Sequence, residues 1–504
     1  MSNYQMPRGT QDILPNEIEK WHALEEYLQK FTTLYHYKEI RTPIFEHTEV
    51  FKRGNDSSDM VNKEMYTFEK GDRSLTLRPE GTAGVCRSFV ENKLFGSVDL
   101  PVKLYYMGPM MRYERPQKGR QRIFNQFGIE VIGAKNPYLD VESIALGYSI
   151  LSGLGLKDLV VQLNTLGDDE SRANYREALK EHFANSIDEL CPDCKRRYEQ
   201  NPLRILDCKV DTDHPSMKNA PKITDYLNET SQDYFNKVKA GLDALEIPYT
   251  VEDRLVRGLD YYTHTVFEIV SVNKEMGSQA TLLAGGRYDG LIQYFGGPEM
   301  SGMGWALGME RILIALEAEK ISIVEEESID AYVLCLDESA QLEAFKVVTM
   351  LRSHGFVSET DYLQRKFKAQ FKSVERMKAK VAILIGAKEV ENKQVTIKKI
   401  DTQEQFVVAS DEIIQKMDEI MTRYNDIDTH YQGNLFFPRP TNYFDGIHPL
   451  ISVSFEGMEM KIPQGYLLNL TNRYGDINQL PPEEERVGHK PYCLSFGKDV
   501  SNEN

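Results

Sequence analysis

Residues 108–133 constrain the fold more than any other segment, because they place concentrated positive charge between two apolar runs. The loop between the runs contains Pro116, Gly119 and four arginines: Arg112, Arg115, Arg120 and Arg122. This order predicts a strand–loop–strand hairpin. Arginine binds phosphate in a bidentate manner and is always charged, so inward-facing arginines would form a polyphosphate site, with Phe124 able to stack on a base. A solvated basic hairpin is the alternative interpretation of the arginines alone.

The segments around this hairpin predict helices packed on a sheet. Residues 16–36 repeat apolar side chains every three or four positions, which predicts a helix with Asn16 as its cap. Short apolar runs follow at residues 104–107, 159–163 and 266–270, separated by polar turns. They predict a mainly antiparallel sheet covered by helices.

Changes in composition and in the pattern of apolar and polar residues divide the chain into blocks. A helical insertion, rich in helix formers and charge, is expected to interrupt the first domain, and an acidic linker to end it. Two buried strand candidates then alternate with a helical pattern, which predicts a small α/β domain with a partly parallel sheet. The expected blocks are 1–165 with 251–317, the insertion 166–250, the linker 317–328, the second domain 329–425 and a final block 431–504.

Length, hydropathy and charge limit the class of protein. With 504 residues, 41% hydrophobic and 27% charged, we expect a globular chain of about two to four domains. The sequence contains no run of about 18 apolar residues, so no membrane span is predicted. The opening MSNYQMPRGTQDILP lacks the apolar core of a secretion signal, so a cytoplasmic location is expected. The net charge of −17 argues against nucleic-acid binding by the whole surface, although a local stripe can bind phosphates. The candidate stripe is Arg365, Lys366, Lys368 and Lys372, for which a solvated helix face is the alternative.

Two further segments carry groups suited to a polar ligand. Glu80, in a tight Pro-Glu-Gly-Thr segment, would join Glu130 to give two acidic groups for a cation, although an exposed loop acid is the common alternative. Arg257 precedes Gly258 in the second segment. Tyr261 and Tyr262 follow it and would face opposite sides of an extended chain, so at most one of them is expected in a site.

Two glycine-rich segments complete the set. LAGGRYDGL, residues 283–291, suits a close approach of backbone to a ligand, or is simply a turn. In residues 301–316, glycines lead into an apolar helix that carries Arg311 near a helix start where phosphate would bind. An arginine that extends along the helix surface to reach solvent is the alternative.

Taken together and in this order, these segments closely resemble the histidyl-tRNA synthetase family of class II aminoacyl-tRNA synthetases. The resemblance runs from residue 1 to about 425. The second and third class II motifs match RYERPQKGRQRIFNQFGIE (112–130) and GMGWALGMERI (302–312), and the dimer-interface motif matches IRTPIFEHTEVF (40–51), with Pro43. Two motifs peculiar to the histidine enzyme match RLVRGLDYYTHTVFE (254–268) and AGGRYDG (284–290).

The resemblance implies an α+β chain with an antiparallel-sheet catalytic domain, a helical insertion, a small α/β anticodon-binding domain and a short C-terminal appendage. It implies a histidine–tRNA ligase that activates histidine with ATP and Mg²⁺, loads tRNA(His) and forms a homodimer without binding a membrane. Arg257, Arg112 and Gln126 would be catalytic. ATP would be bound by Arg112, Glu114, Arg120, Phe124 and Arg311. Histidine would be bound by Glu80, Thr82, Gln126, Glu130, Tyr261, Tyr262 and Tyr288, and the acceptor end of the tRNA by Arg115, Gln117 and Lys118.

Three cysteines of the insertion raise the question of a metal. Cys191 and Cys194 lie in CPDC, and Cys208 follows in LDCK. This spacing is compatible with zinc, but a structural zinc site takes four ligands, and His214 or Asp211 would have to complete it. We interpret the cysteines as small turn-forming residues and assign no metal ligand.

The final block, 431–504, resembles the closing segment of the LicD family, which transfers phosphocholine or related groups onto glycans. The matching pieces are FEG, the Pro463–Gly465 step, RYGD and LPPEEE followed by His489. The part of that family that carries the catalytic carboxylates has no match here, so no transferase activity is implied. Asp445, Asp476 and His489 are interpreted as solvated polar residues rather than metal ligands.

Three rival functions remain to be distinguished. A regulatory paralogue would bind histidine without tRNA, a tRNA-sensing module would accompany a kinase, and a bifunctional enzyme would also modify glycans. The complete set of site residues and the second domain oppose the first, the lack of kinase sequence opposes the second, and the third rests on the final block alone.

Overall fold

The structure is a computed structural model and describes residues 4–52, 58, 60–96, 99–257, 259–273, 276, 280–324, 328–430, 450–455 and 458–463. The chain forms two compact units, residues 1–325 and 326–504. Among the described residues, no helix is long and apolar enough to cross a membrane.

The first unit is built on an eight-stranded sheet. Its strands and those of a smaller sheet are β1 (Lys38–Glu39), β2 (Phe45–His47), β3 (Thr67–Lys70), β4 (Arg73–Leu77), β5 (Val102–Met111), β6 (Ile123–Ile132), β7 (Leu159–Thr165), β8 (Tyr249–Val251), β9 (Thr263–Ser271), β10 (Thr281–Tyr288) and β11 (Gly302–Gly308). The large sheet has the order β1-β5-β6-β11-β10-β9-β7-β8. Only the outer pairs β1/β5 and β7/β8 are parallel, so the predicted mainly antiparallel sheet is confirmed.

Ten α-helices accompany the sheets in the described part of this unit. They are α1 (Pro15–Leu34), α2 (Thr48–Phe51), α3 (Thr82–Glu91), α4 (Pro137–Gly153), α5 (Asp169–Phe183), α6 (Pro192–Gln200), α7 (Pro215–Lys218), α8 (Glu229–Ala244), α9 (Leu291–Tyr294) and α10 (Met309–Ala318). The predicted first helix is present, but Asn16 is not its cap. Leu14 precedes the helix and Pro15 occupies its first turn, where the missing N–H of proline costs no hydrogen bond.

Helix α4 fixes the middle of the large sheet. Its Asp140 is fully buried and forms an ion pair with the equally buried Arg287 of β10. Thr265 of β9 donates to the same carboxylate at 2.6 Å. A buried pair with these added hydrogen bonds holds two strands and a helix in one register, because removing one partner would leave an uncompensated charge.

The segment between β7 and β8 is helical, and its helices contribute to two different hydrophobic cores. Helices α5 to α7 enclose a core with Tyr175, Leu179 and Phe183, to which Val256 and Tyr262 from beyond the segment also belong. In contrast, α8 packs its apolar face into the main core beneath the large sheet.

The second unit contains a five-stranded sheet. Its elements are β12 (Ala331–Cys335), α11 (Gln341–Ser353), β13 (Ser358–Thr360), α12 (Phe367–Arg376), β14 (Val381–Ile385), α13 (Ala387–Asn392), β15 (Gln394–Lys399), β16 (Gln405–Ala409) and α14 (Ile413–His430). The order is β13-β12-β14-β15-β16, with the first three strands parallel and the last two antiparallel, which confirms the predicted partly parallel sheet.

The final block contributes one described hairpin, β17 (Leu450–Phe455) paired antiparallel with β18 (Met458–Pro463). RYGD, LPPEEE, Asp445, Asp476 and His489, on which the LicD-like interpretation depends, lie outside the described residues.

Candidate active site

A cavity of about 480 Å³ opens between the β5–β6 hairpin, strands β9, β10 and β11, the start of α10 and residues 256–257 and 259–262; we call it the chamber. Its charged lining comprises Glu80, Arg112, Glu114, Arg120, Asp207, Lys209, Arg257, Glu268, Glu310 and Arg311. Residues from distant parts of the sequence therefore face one space, and the predicted strand–loop–strand hairpin forms one side of it.

One group of lining residues combines arginines with an aromatic ring and a carboxylate. Arg112 Nε donates to the Pro79 carbonyl at 2.8 Å, and its guanidinium group lies 5.3 Å from the centre of the Phe124 ring. Glu114 lies between two arginines, 3.9 Å from Arg112 Nη1 and 3.6 Å from Arg120 Nη1. These distances exceed those of a charge-assisted hydrogen bond, so both guanidinium groups keep donors for an anion.

Arg311 adds a third guanidinium group. It donates to the Thr281 carbonyl at 2.9 Å and to the Gly119 carbonyl at 3.4 Å, so it ties α10 to β10 and to the arginine-rich loop. Burial, followed by the nearby charge of Arg120, lowers the pKa of Arg311. This repulsion marks a region of positive potential that a polyanion would relieve.

A second group combines carboxylates with hydroxyl donors. Glu130 is fully buried and accepts hydrogen bonds from Thr82 Oγ1 at 2.6 Å and from the Tyr288 hydroxyl at 2.7 Å. Burial raises the pKa of Glu130 to about 8; the two hydrogen bonds oppose this rise and the charge of Glu80 adds to it. Gly304 leaves room for the carboxylate, because a Cβ at that position would lie 1.9 Å from Glu130 Oε2.

Depth separates the predicted histidine-binding residues. Glu80, Thr82, Gln126, Tyr261 and Tyr262 line the chamber. Two others, Glu130 and Tyr288, lie behind this wall and reach it through Thr82 and through the edge-to-face contact of Tyr288 with Tyr261. Contacts therefore link six of the seven, all but Gln126, and five of the seven line the chamber.

Both adjacent tyrosines enter the chamber, so the expectation that at most one would do so is wrong. The Tyr261 hydroxyl donates to Glu80 Oε2 at 2.9 Å, and the rings of Tyr261 and Tyr262 lie 4.6 Å apart. The reason is that the backbone turns at residues 260–261, where the alternation of an extended strand does not apply.

Arg257 and Gln126 carry polar atoms without a hydrogen-bond partner in the described part of the chain. Arg257 forms an ion pair with Glu268, whose other oxygen accepts from Thr281 Oγ1 at 2.8 Å. Its Nε is nevertheless buried without an acceptor, and Gln126 Oε1 is buried without a donor. Buried polar atoms of this kind need an explanation such as a bound substrate. Gly258 lies outside the described residues.

The predicted tRNA-binding residues lie elsewhere. Arg115, Gln117 and Lys118 are exposed on the β5–β6 loop and are absent from the described chamber lining. Gln117 and Arg120 exchange backbone hydrogen bonds of 3.0 and 2.9 Å across a tight turn, in which Gly119 has a φ of +68°. The turn displays Lys118 outward while Arg120 faces the chamber.

Sequence reasoning missed four charged residues of the lining. Glu268 lies within the quoted motif 254–268, so its position could have been noticed, and Glu310 precedes Arg311 in another motif. Glu310 accepts from the Asn125 backbone N–H at 2.8 Å, and burial raises its pKa. Asp207 and Lys209 come from the helical segment, where no motif pointed to the chamber.

The cysteines of this segment are not turn-formers as expected. Cys194 is fully buried within α6, Cys208 is buried, and the sulfur atoms of both, together with those of Cys191 and a carboxylate oxygen of Asp211, lie within 4.8 Å of one another. His214 is engaged elsewhere, 3.1 Å from Glu189 and 2.7 Å from Ser216 Oγ.

Comparison with known proteins agrees with this geometry. The family profile described as histidyl-tRNA synthetase matches residues 9–312, and that described as anticodon binding domain matches residues 330–420. The chain is 52% identical to the histidine–tRNA ligase of Listeria innocua serovar 6a over 415 residues, which cover 82% of this chain and 98% of the relative. It is 54% identical to the histidine–tRNA ligase of Geobacillus thermodenitrificans over 412 residues, 81% of this chain and 97% of the relative.

A solved structure agrees as well. Apo histidyl-tRNA synthetase from S. aureus superposes with a TM-score of 0.71 at 46% identity, covering 82% of this chain and 99% of that chain. The sheet topology, the arginine-lined chamber and these relatives lead to one conclusion. The chain belongs to the histidyl-tRNA synthetase family, with a class II catalytic fold followed by an anticodon-binding domain.

Proposed function

We propose that the chamber carries out both steps of histidine–tRNA ligation. The chain is an aminoacyl-tRNA ligase: it activates histidine with ATP and transfers it to the 3′ end of tRNA(His). One observation carries the assignment of these steps to the chamber: three guanidinium groups and the Phe124 ring line the same cavity as Glu80, Tyr261 and Tyr262. A polyphosphate nucleotide and a small cationic amino acid are the ligands that such a pair of groups fits.

The arginine group would bind ATP. Phe124 would stack on adenine, Arg112 would hold the α-phosphate, and Arg120 with Arg311 would hold the outer phosphates. The support is that all four side chains line the chamber, that the Arg112 guanidinium lies 5.3 Å from the Phe124 ring, and that Arg112 and Arg120 have only long contacts to the Glu114 carboxylate. Guanidinium groups are suited to this role because they bind phosphate oxygens in pairs.

Mg²⁺ would accompany ATP, with Glu114 as the carboxylate that contacts it. The fit is chemical: the Glu114 oxygens lie 3.6–3.9 Å from their arginine neighbours, so they retain lone pairs for a hard cation or its waters. When bound, the ion neutralises charge on the phosphates.

Activation itself needs placement more than a base. A carboxylate oxygen of histidine attacks the α-phosphorus, the bond to the bridging oxygen breaks, and diphosphate leaves with the electron pair. The carboxylate is already ionised at neutral pH, so the barrier falls when charge is neutralised and the reactants are aligned. Arg257 would donate to this developing charge through its buried Nε, while Glu268 fixes its position.

Histidine selection would rest on the second group. Glu80, Thr82, Tyr261 and Tyr262 line the chamber, and the buried Gln126 Oε1 offers an acceptor for the amino group. Direct contact of Glu130 and Tyr288 with histidine stays a prediction, because both lie behind this wall. A pocket whose polar groups would be left unpaired by another side chain discriminates strongly.

Transfer to tRNA would use exposed surfaces of both units. Arg115, Gln117 and Lys118 would contact the acceptor end, whose terminal ribose hydroxyl attacks the activated carbonyl and releases AMP. In the anticodon-binding unit, Lys366, Lys368 and Lys372 are exposed. The nearby exposed rings of Tyr362 and Phe367 would stack on bases beside them.

A two-fold homodimer is proposed through the segment around Pro43. Ile44 and Phe45, directly after it, are about half exposed, at 48% and 52%. Phe45 lies on β2, which forms an edge of the small sheet β2-β4-β3. An edge strand with exposed apolar side chains is a suitable interface, and closed two-fold pairs are the commonest soluble oligomers. Light scattering at micromolar concentration should give twice the chain mass; a fully active monomer would contradict the dimer.

The location and the final block complete the proposal. We propose a cytoplasmic enzyme, and we propose that residues 431–504 are an appendage without transferase activity.

Two assays test the function. Histidine-dependent exchange of labelled pyrophosphate into ATP measures activation, and charging of tRNA(His) transcripts measures transfer. A regulatory paralogue would bind histidine and fail both assays. Activity in the first assay alone would contradict the proposed roles of the loop and of the second unit.

A further inference from the structure

The helical segment of the first unit contains a group of ligand atoms that the ligation chemistry does not use. We propose that Cys191, Cys194, Cys208 and Asp211 bind one zinc ion, in a structural site separate from the ATP and histidine sites. One atom from each residue, three thiol sulfurs and a carboxylate oxygen, lies within 4.8 Å of all the others. Four ligands of this kind make a complete tetrahedral set.

Two of the separations between these ligand atoms fit the geometry of a zinc site. Cys191 Sγ lies 3.7 Å from Cys208 Sγ, and Cys208 Sγ lies 3.4 Å from Asp211 Oδ2. A tetrahedral zinc ion with bonds of about 2.3 Å to sulfur and about 2.1 Å to oxygen separates its sulfur ligands by about 3.8 Å, and sulfur from oxygen by about 3.6 Å. The ligands would therefore need to move only slightly. The same sulfur separation is too long for a disulfide, in which the bond is about 2.05 Å.

The local backbone explains why the ligands converge. Cys191 immediately precedes α6, with Pro192 in the first turn, and Cys194 follows on the same helix. The short 3-10 helix Pro202–Ile205 then returns the chain, so that Cys208 and Asp211 approach the start of α6. The spacing of two residues between Cys191 and Cys194 is the usual one for a pair of zinc thiolates.

Backbone donors support the ligands from outside. The Cys191 N–H donates to Asp211 Oδ2 at 3.0 Å, and the Asp211 N–H donates to Cys208 Sγ at 3.4 Å. Such outer hydrogen bonds orient metal ligands and stabilise their charge. Three sulfur ligands select zinc over magnesium or calcium, which prefer oxygen. Binding would deprotonate the thiols and release their protons to solvent.

The bound zinc ion would stabilise the part of the helical segment that forms one wall of the chamber. Cys208 lies between Asp207 and Lys209, and both of these residues line the chamber. Four protein ligands leave no open position for catalysis, so the ion is structural. It would act by fixing the chain that presents Asp207 and Lys209, which makes Cys208 and the other ligands positioning residues.

Metal content of the full chain tests the site directly. The protein is purified with a reductant and without a chelator, and zinc is measured by mass spectrometry of the metal and by X-ray absorption at the zinc edge. We expect one zinc per chain with three sulfur ligands and one oxygen ligand. Zinc no higher than in a Cys194→Ser/Cys208→Ser double variant would overturn the proposal, as would a Cys191–Cys208 disulfide in the freshly isolated protein.

Matched variants locate the ligands. Asp211→Asn keeps the shape of the side chain and should lose zinc to a competing chelator at concentrations at least about tenfold lower than the wild type. His214→Gln, a neighbour outside the ligand group, and Cys335→Ser, in the second unit, should retain zinc like the wild type. Equal loss from His214→Gln and Asp211→Asn would overturn the assignment of Asp211.

Hydrogen exchange tests the structural role. Removal of zinc from the folded chain should speed amide exchange in residues 187–211 and leave residues 330–420 unchanged. Unchanged exchange in residues 187–211 of the zinc-free protein would overturn the proposed role of the ion in holding this wall. None of these measurements uses catalysis, so failure of the zinc site and failure of the proposed ligation roles are distinguishable.

Discussion

The two sides of the chamber that we propose for histidine and for the nucleotide differ in burial and in how tightly their polar groups are held. On the proposed histidine side, Glu130 is fully buried and both of its oxygens already accept hydrogen bonds. On the proposed nucleotide side, Arg120 and Glu114 are only partly buried and contact each other at 3.6 Å. Specificity for a small amino acid requires polar groups that are fixed before binding. A highly charged nucleotide is attracted by the positive electrostatic potential of several arginines, and its binding tolerates looser contacts.

The largest effect is expected where the two sides meet, at Arg257. Arg257→Ala should lower histidine-dependent pyrophosphate exchange by about 10²- to 10³-fold, because a charge-stabilising donor is lost at the reacting centre. Exchange and circular dichroism are measured on the same preparation. Near-normal exchange in a folded variant would reject the role.

A matched pair separates this loss from simple unfolding. Arg257→Ala leaves Glu268 largely buried without its cation, which is destabilising. Arg257→Ala/Glu268→Gln removes that charge and should recover thermal stability while exchange stays low. Recovery of exchange in the double variant would mean that Arg257 only neutralises Glu268.

The next largest effect is expected from a substitution of Glu130, and it should be confined to the binding of histidine. Glu130→Gln should raise the histidine KM by about 10- to 100-fold and leave the ATP KM within about twofold, because Thr82 and Tyr288 donate to different oxygens of Glu130 and an amide has only one oxygen. Steady-state exchange with each substrate varied measures both constants. Tyr288→Phe, which removes one donor, is the milder control. Equal changes in both KM values would assign Glu130 to the wrong ligand.

These residues show how much the sequence could predict. The hairpin, the antiparallel sheet and the positions of Arg112 and Arg120 followed from apolar runs around a charged loop, because such patterns are local, whereas Arg115 and Arg122 of the same loop are absent from the described chamber lining. The ion pair of Arg257 with Glu268 did not follow, since a turn lies between them and their approach depends on how β9 enters the sheet. The same turn made the alternation argument for Tyr261 and Tyr262 fail.

Long-range convergence was harder still. Cys191 and Asp211 are separated by a helix and a short 3-10 helix, so only the path of the chain shows that they meet. The depth of Glu130 was equally hidden, because it depends on Gly304 in a strand far along the chain. A sequence motif names residues of a site and leaves open which of them form its surface.

A pH experiment sharpens the contrast between the two sides. Burial raises the pKa of Glu130 from an ordinary 4.5 to about 8, so its proton stabilises the folded apo protein fully below about pH 4.5. This contribution is lost as pH rises towards 8, by an amount on the order of a few kcal/mol. Glu130→Gln lacks the titration, so its Tm relative to the wild type should rise between pH 5.5 and 8.5. Calorimetry at one scan rate measures both proteins, and a Tm difference independent of pH would contradict the buried carboxylate.

The smallest effect is expected from removing the final block, residues 434–504. This removal tests whether the chamber and the anticodon-binding unit are sufficient for the whole reaction. A chain cut after Gly433 keeps α14, which ends at His430, and every residue assigned to ATP, histidine and tRNA. The aligned segment already spans 98% of the Listeria innocua relative, so that ligase has almost no length left for a counterpart of residues 434–504. A block of this size buries little apolar area by itself, so its loss should change the stability of the two units little. We therefore expect charging rates within about twofold of the full chain and an unchanged histidine KM, since no uniform binding energy is removed. Charging and Tm are compared for both chains. If the cut chain stays folded and activates histidine but no longer charges tRNA, the final block contributes to tRNA binding, and the two sides of the chamber do not account for the whole reaction.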